Sequence, residues 1–246
     1  MAKEVFRVPS LLQVIKNLRD EPKLVQRALV QSALNRPRIS YRVLHKLTQD
    51  RVCWSVPLAQ LEDAIRRYKN RPGHRENLLT LLSLIDRHFS NIVPDYPPIE
   101  VECRHYQIAP DIRIPFQPPI CYGIGGQLYL PYFDLWRKSP LKGKKLSVFM
   151  TILDEIRQQE PDIESARIPI LGFSIPPNEE ERSLVVIDEA DVERVSSREL
   201  QRWMQVFAEG YRAARAELAG MKPDETEKRD DASRPDDSQD DLFERR

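Results

Sequence analysis

The sequence predicts an α+β fold: an N-terminal helical region, then a mixed β-sheet flanked by two helices, then a disordered acidic C-terminal tail. Three observations predict it. Apolar residues recur at helical spacing from residue 9 to about 91. Pro94, Pro97 and Pro98 end that pattern, and alternating, strand-like segments follow. Beyond Gly220 the chain is polar, charged and interrupted by proline. The organisation read from this is a basic helical region at 1–94, a mixed α/β sheet domain at 95–219 and a disordered charged tail at 220–246.

Five helices are expected in the first region. "SLLQVIKNL" places Leu11, Leu12, Val14, Ile15 and Leu18 near one stripe, with Ser10 as N-cap. "PKLVQRALVQSALNRP" ends before Pro37, since the residue before a proline is pushed out of the helical conformation. "SYRVLHKLTQD" is a third, short helix. "SVPLAQLEDAIRRYKN" is a fourth, capped by Ser55, with Pro57 tolerated in the first turn. "HRENLLTLLSLIDRHF" is leucine-dense enough for a central core helix.

Strands are expected at "IEVECRHYQI", "DIRIPFQ" and "QLYLPYFD". Pro131 inside the last of these places it at a sheet edge or a bulge, because proline offers no N–H to a ladder. The helix "KLSVFMTILDEIRQQE" follows, then strands "ARIPILGFSI" and "SLVVIDEA". The second is a continuous apolar run suited to a sheet interior. The strand–helix–strand unit from Gln127 to Ile175 allows one parallel crossover. "SSRELQRWMQVFAEGYRAARAELAG" is the clearest helix, with Ser196 and Glu199 in capping-box spacing.

Composition bounds the rest. The chain has 246 residues, 41% of them hydrophobic, and 38 basic residues balance 38 acidic ones. The zero balance hides an asymmetry: residues 1–92 carry 17 Lys and Arg against 8 Asp and Glu, and residues 221–246 carry 6 against 10. Three irregularly spaced cysteines, Cys53, Cys103 and Cys121, argue against a disulfide framework and for a reducing compartment. The charged start does not read as a signal peptide, and no apolar run approaches the roughly 20 residues of a membrane span. A soluble, cytoplasmic protein with no membrane contact is expected; the oligomeric state is not legible.

The stretch "PPICYGIGGQLYLPYFDLWRKSPL" concentrates glycine, proline and aromatic residues. A phosphate-cradling loop is followed directly by a helix. "GIGG" is followed by a strand, so it is read as the tight turn of a hairpin. Asp111, Asp134, Glu164 and Asp188 are strand-end acids, the arrangement a metal-dependent phosphodiesterase uses to hold a divalent ion against phosphate. The acidic-x-Lys triplet that accompanies such sites on a strand is missing. Cys103, His105 and Cys121 supply three zinc-type ligands without the fourth or the paired spacing, and are read as two buried cysteines and a hydrogen-bonded histidine. No metal and no cofactor are therefore expected.

The strongest bulk signal is basic. "NRPRISYR" and "RRYKNRPGHR" group arginines around Tyr41 and Tyr68. Guanidinium forks suit phosphate, and tyrosines stack on bases. The third and fourth helices invite comparison with a helix-turn-helix pair, although "RVCWSV" is longer than its usual turn.

Two fragments, "IPFQPPICY" and "GGQLYLPYFDLW", resemble ubiquitin-conjugating-enzyme variants, the inactive relatives of E2 enzymes. The resemblance implies a binding protein in which Tyr129 stands where the catalytic cysteine would be, with no thioester chemistry. The spacer between the fragments is only "GI", and segments 167–175 and 183–189 are strand-like where that family has C-terminal helices.

The sequence thus points to a non-enzymatic macromolecular interaction module. Arg36, Arg38, Arg42, Arg66, Arg67 and Arg71 are expected to contact an anionic partner, a protein or another macromolecule, with nucleic acid among the candidates. Tyr129, Tyr132 and Trp136 are expected to form a second, aromatic–proline contact along an edge strand. The alternative is the metal-dependent phosphodiesterase built on Asp111, Asp134, Glu164 and Asp188.

Overall fold

The computed structural model describes residues 8–34, 41–67 and 72–221, the side chains of Arg42 and Pro72 excepted. The expected acidic tail lies outside the described residues.

Helices form where periodicity and caps place them: α1 (Leu11–Asn17), α2 (Pro22–Leu34), α3 (Arg42–Val52), α4 (Leu58–Arg67) and α5 (Pro72–Phe89). At α1, the Ser10 N–H donates to Gln13 Oε1 at 3.1 Å, which holds the helix start. The cap expected at Ser55 is corrected. Ser55 sits in the left-handed region at φ 55°, and α4 opens instead on the Pro57 carbonyl, which accepts from Gln60 and Leu61 N–H at 3.0 and 3.3 Å.

A hairpin of β1 (Arg104–Ala109) and β2 (Ile112–Phe116) follows, then a second of β3 (Tyr122–Ile124) and β4 (Gln127–Tyr129). Next come β5 (Tyr132–Asp134), α6 (Lys144–Gln158), β6 (Ile170–Gly172), β7 (Val185–Ile187) and α7 (Ser197–Gly220). Strands β5 and β6 pair in parallel across α6, and β6 and β7 pair antiparallel, so the sheet is mixed. The fold class is α+β.

Pro131 divides the expected strand "QLYLPYFD" into β4 and β5, since it has no N–H to give. Both halves still run along one partner. Leu130 N–H donates to the Arg167 carbonyl at 2.8 Å and Tyr132 N–H to that of Pro169 at 2.9 Å. Strand β4 is therefore flanked by β3 on one side and by the approach to β6 on the other. The edge expected for the whole segment applies only to β5, which ends the order β5-β6-β7. The reading of "SLVVIDEA" as sheet interior is also corrected. Strand β7 is the opposite edge, and Val185 and Val186 are 50% and 51% exposed. A run of apolar residues there reflects β-branched strand preference, not burial on both faces.

Period-2 alternation along these strands separates two cores. Leu130, Ile168 and Ile170 join a cluster with α1, α2, α6 and α7, against which Tyr132 packs. Tyr122, Phe133, Leu135, Leu171 and Phe173 join a cluster with α3, α4 and α5. The sheet thus carries helices on both faces. Segment 1–94 contributes to both cores: α1 and α2 share theirs with α6 and α7. Helices α2 and α7 approach closely, and a Cβ on Gly210 would lie 2.6 Å from the Pro22 carbonyl oxygen and from Val25 Cβ. Among the described residues no helix is long and apolar enough to cross a membrane.

Candidate anion-binding site

The glycine turn behaves as the sequence suggests. Gly125 and Gly126 take φ of 58° and 78° between the paired residues Ile124 and Gln127, a two-residue hairpin turn that only glycine enters without strain. Its two N–H groups converge on one anion, the carboxylate of Asp95, at 3.0 and 2.8 Å. These bonds hold that carboxyl below its usual range. The cradle exists, and a side chain of the protein fills it.

The four acids stand apart in separate roles. Asp111 is exposed at the β1–β2 turn and accepts a bidentate pair from Arg212 on α7, with Nη2 at 2.6 Å. Asp188 accepts from Ala190 N–H at 3.0 Å and lies 3.8 Å from Arg167. Glu164 is exposed. Asp134 is 1% exposed. Among the described residues no three His, Cys, Asp or Glu side chains are grouped to hold a metal ion, so the four do not assemble the expected site. The zinc-type trio does not assemble either: Cys121 is buried, while Cys103 and His105 are exposed, which corrects the expectation of two buried cysteines. All three cysteines are free.

Of the arginines, Arg36, Arg38 and Arg71 lie outside the described residues, as does the Arg42 side chain; Arg42 opens α3. Arg66 is paired within its own helix, to Glu62 and Asp63 at 2.9 Å each. Arg67 is exposed at the end of α4.

The aromatic residues are drawn into the fold. Tyr129 is half-buried and stacks on Tyr122 at 5.4 Å. Tyr132 is half-buried, stacked on Phe116 at 6.2 Å and edge-on to Phe149 at 4.9 Å. Burial pushes its hydroxyl well above the usual tyrosine range. Trp136 is different: the Lys16 ammonium sits 4.6 Å over its ring.

Lys16 links Trp136 to a site the sequence reading did not assemble, because its carbonyl accepts from Lys145. Buried Asp134 organises the loop after β5. It accepts from Trp136 N–H at 3.2 Å and from the Ser139 hydroxyl, whose oxygen in turn accepts from Leu141 N–H at 3.1 Å. Burial raises this carboxyl, and the Ser139 and Trp136 donors pull it back. The loop then enters α6 through Gly143 at φ 49°, a conformation glycine reaches cheaply. It delivers Lys142, Lys144 and Lys145 to the start of the helix.

There they meet α1 and α7. Leu18, Arg19, Asp20, Lys144, Lys145, Val148 and Trp203 line a cavity of about 290 Å3. Lys145 Nζ donates to the Lys16 carbonyl at 2.8 Å, and Arg19 Nη1 donates to the same oxygen at 2.9 Å and to that of Leu18 at 2.7 Å. These carbonyls are the unpaired ones at the end of α1, so the cations cap that helix. Lys144 pairs with Glu199 at the start of α7. Burial, with Arg19 and Lys16 close by, pushes the Lys145 ammonium below the ordinary lysine value. The cavity stands where the end of α1, the start of α6 and the first turns of α7 meet.

One local signal was available for it: the run "LKGKK" at 141–145 directly before the predicted helix. Arg19 and Trp203 carry no sequence signal of their own, because only the packing of α1 and α7 on α6 brings them there.

No family model, no curated protein and no solved structure matches the chain.

Proposed function

We propose that the protein is a non-enzymatic interaction module of the cytoplasm that docks an anionic macromolecule. The docking point is the cationic cluster where α1, α6 and α7 meet. The observation that carries this reading is the crowding of Arg19, Lys144 and Lys145 on a cavity whose lining holds one acid, Asp20, with Lys16 close enough to act on Lys145. Like charges held together repel, and a partner's negative charge relieves that cost. Trp203 adds aromatic surface in the lining, and Trp136 lies close by, beneath the Lys16 ammonium. The arginines of the α3–α5 region provide general attraction and steering, with Arg66 already neutralised on its own helix.

Binding of labelled polyanions (duplex and single-stranded oligonucleotides and polyglutamate) to the full chain, followed by anisotropy over a salt series, tests the reading. Affinity is expected to fall steeply with salt, and Lys144→Glu/Lys145→Glu to weaken it with the fold intact by circular dichroism. A flat salt response, or full affinity in the double variant, refutes it.

A further inference from the structure

We propose that the cavity between Leu18, Lys145 and Trp203 is a phosphomonoester site. The phosphate lies among Arg19, Lys144 and Lys145, and the group that carries it lies against Trp203, Val148 and Leu18. This rests on the anionic-partner reading and names the chemistry recognised.

Charge selects the ligand class first. Three cations and Asp20 give the wall a balance of two positive charges. Glu199 beside Lys144 and Lys16 near Lys145 offset one another. A phosphomonoester carries close to two negative charges at neutral pH, whereas a carboxylate or sulfate ester carries one.

Donor geometry agrees. Lys145 uses one of its three N–H bonds on the Lys16 carbonyl, and Arg19 bonds the α1 carbonyls through Nη1, with Nε and Nη2 in no protein hydrogen bond among the described residues. The remaining donors come from two chain segments, the end of α1 and the start of α6. A tetrahedral group with three terminal oxygens accepts from several directions at once; a planar carboxylate does not. The first turn of α6 adds the positive end of its helix dipole in support.

The cavity is larger than a bare phosphate needs, and Leu18, Val148 and Trp203 make part of its wall apolar. Lys145 and Arg19 are held in place by backbone acceptors before any ligand arrives, which lowers the ordering cost of binding. A flat, apolar carrier on the phosphate fills the remainder against the indole.

Of the chain's three tryptophans, Trp203 lines the site and Trp136 lies under Lys16, whose carbonyl accepts from Lys145, so intrinsic fluorescence reports on it. The full chain is titrated with phenyl phosphate at constant ionic strength, with inorganic phosphate and phenyl sulfate as comparators and calorimetry as the second readout. Phenyl phosphate is expected to saturate and to bind about tenfold or more tightly than either comparator, the loss expected for one charge-assisted bond or for the apolar contact. Lys145→Met and Arg19→Met each lose about tenfold, and Lys145→Arg retains binding. A peptide bearing one phosphotyrosine separates two sources of the same chemistry: tighter binding than phenyl phosphate assigns a modified protein, and equal binding a small metabolite.

No saturation by phenyl phosphate, or affinity unchanged in both Met variants, overturns the proposal. If polyanions still bind with a steep salt slope in that case, the phosphate pocket fails and the docking reading survives. If they do not, both fail.

Discussion

Lys145 and Arg19 donate to one carbonyl oxygen, that of Lys16, at 2.8 and 2.9 Å. An ammonium and a guanidinium from segments more than a hundred residues apart are thereby held side by side. The oxygen they share belongs to the end of α1, so capping a short helix and concentrating positive charge are one arrangement.

The shared carbonyl makes Lys145 an unusual lysine. Burial, then Arg19 and Lys16, lower its proton affinity. Its neutral amine is populated at lower pH than that of an ordinary lysine, so acylating reagents should label it faster wherever they reach it, with phosphate protecting; peptide mass spectrometry reads both. The native state binds this proton more weakly than the unfolded chain does. Stability should therefore rise with pH from the depressed folded value toward the ordinary lysine value, and Lys145→Met should remove that slope in denaturant melts.

Gly126 tests the hairpin turn. Gly126→Ala places a Cβ at φ 78° and should cost about 1–2 kcal/mol, read by urea unfolding. Asp95, which accepts from both turn amides, has its carboxyl depressed. Its contribution is present above the ordinary carboxylate value and is lost as pH falls through the depressed one. Asp95→Asn should flatten that acid limb.

Gly210 tests the α2–α7 contact. Gly210→Ala drives a methyl group toward the Pro22 carbonyl and Val25, where backbone leaves little room to yield. A loss of roughly 1–3 kcal/mol is expected, outweighing the better helix propensity of alanine. A neutral or raised melting temperature would show that the two helices separate easily.

Strand β7 tests the sheet edge. Val185 and Val186 are exposed at an edge, a template for unwanted pairing. Val186→Lys should leave stability within about 0.5 kcal/mol and reduce self-association seen by light scattering. A large loss of stability would mean that Val186 is covered in solution.

The helices were legible because caps, periodicity and proline breaks are local; only the Ser55 cap was misplaced, with Pro57 taking that role. The hairpin across the glycine turn and the one parallel crossover were legible, but the sheet edges were not, because they depend on distant partners. "QLYLPYFD" looked like one edge strand, yet the backbone near Arg167 lies along both sides of Pro131. "SLVVIDEA" looked interior because apolar composition does not say which neighbours arrive. The candidate site was half legible: Trp136 and the "LKGKK" run were in view, but Arg19 and Trp203 reach it only through tertiary packing. Asp134 looked like a catalytic acid and instead orders the loop that brings Trp136 and the lysines there.

The most direct test is an amide and indole NMR map of the full chain titrated with a polyanion. The three indole N–H signals separate the alternatives, since Trp203 lines the cavity and Trp136 lies under the neighbouring Lys16, while Trp54 is 67% exposed in the α3–α4 link. The Trp136 and Trp203 indoles are expected to move together with the amides of Arg19 and Lys142 to Lys145, while Trp54 stays fixed. Movement of Trp54 and the α3–α5 amides with a silent cavity would contradict it.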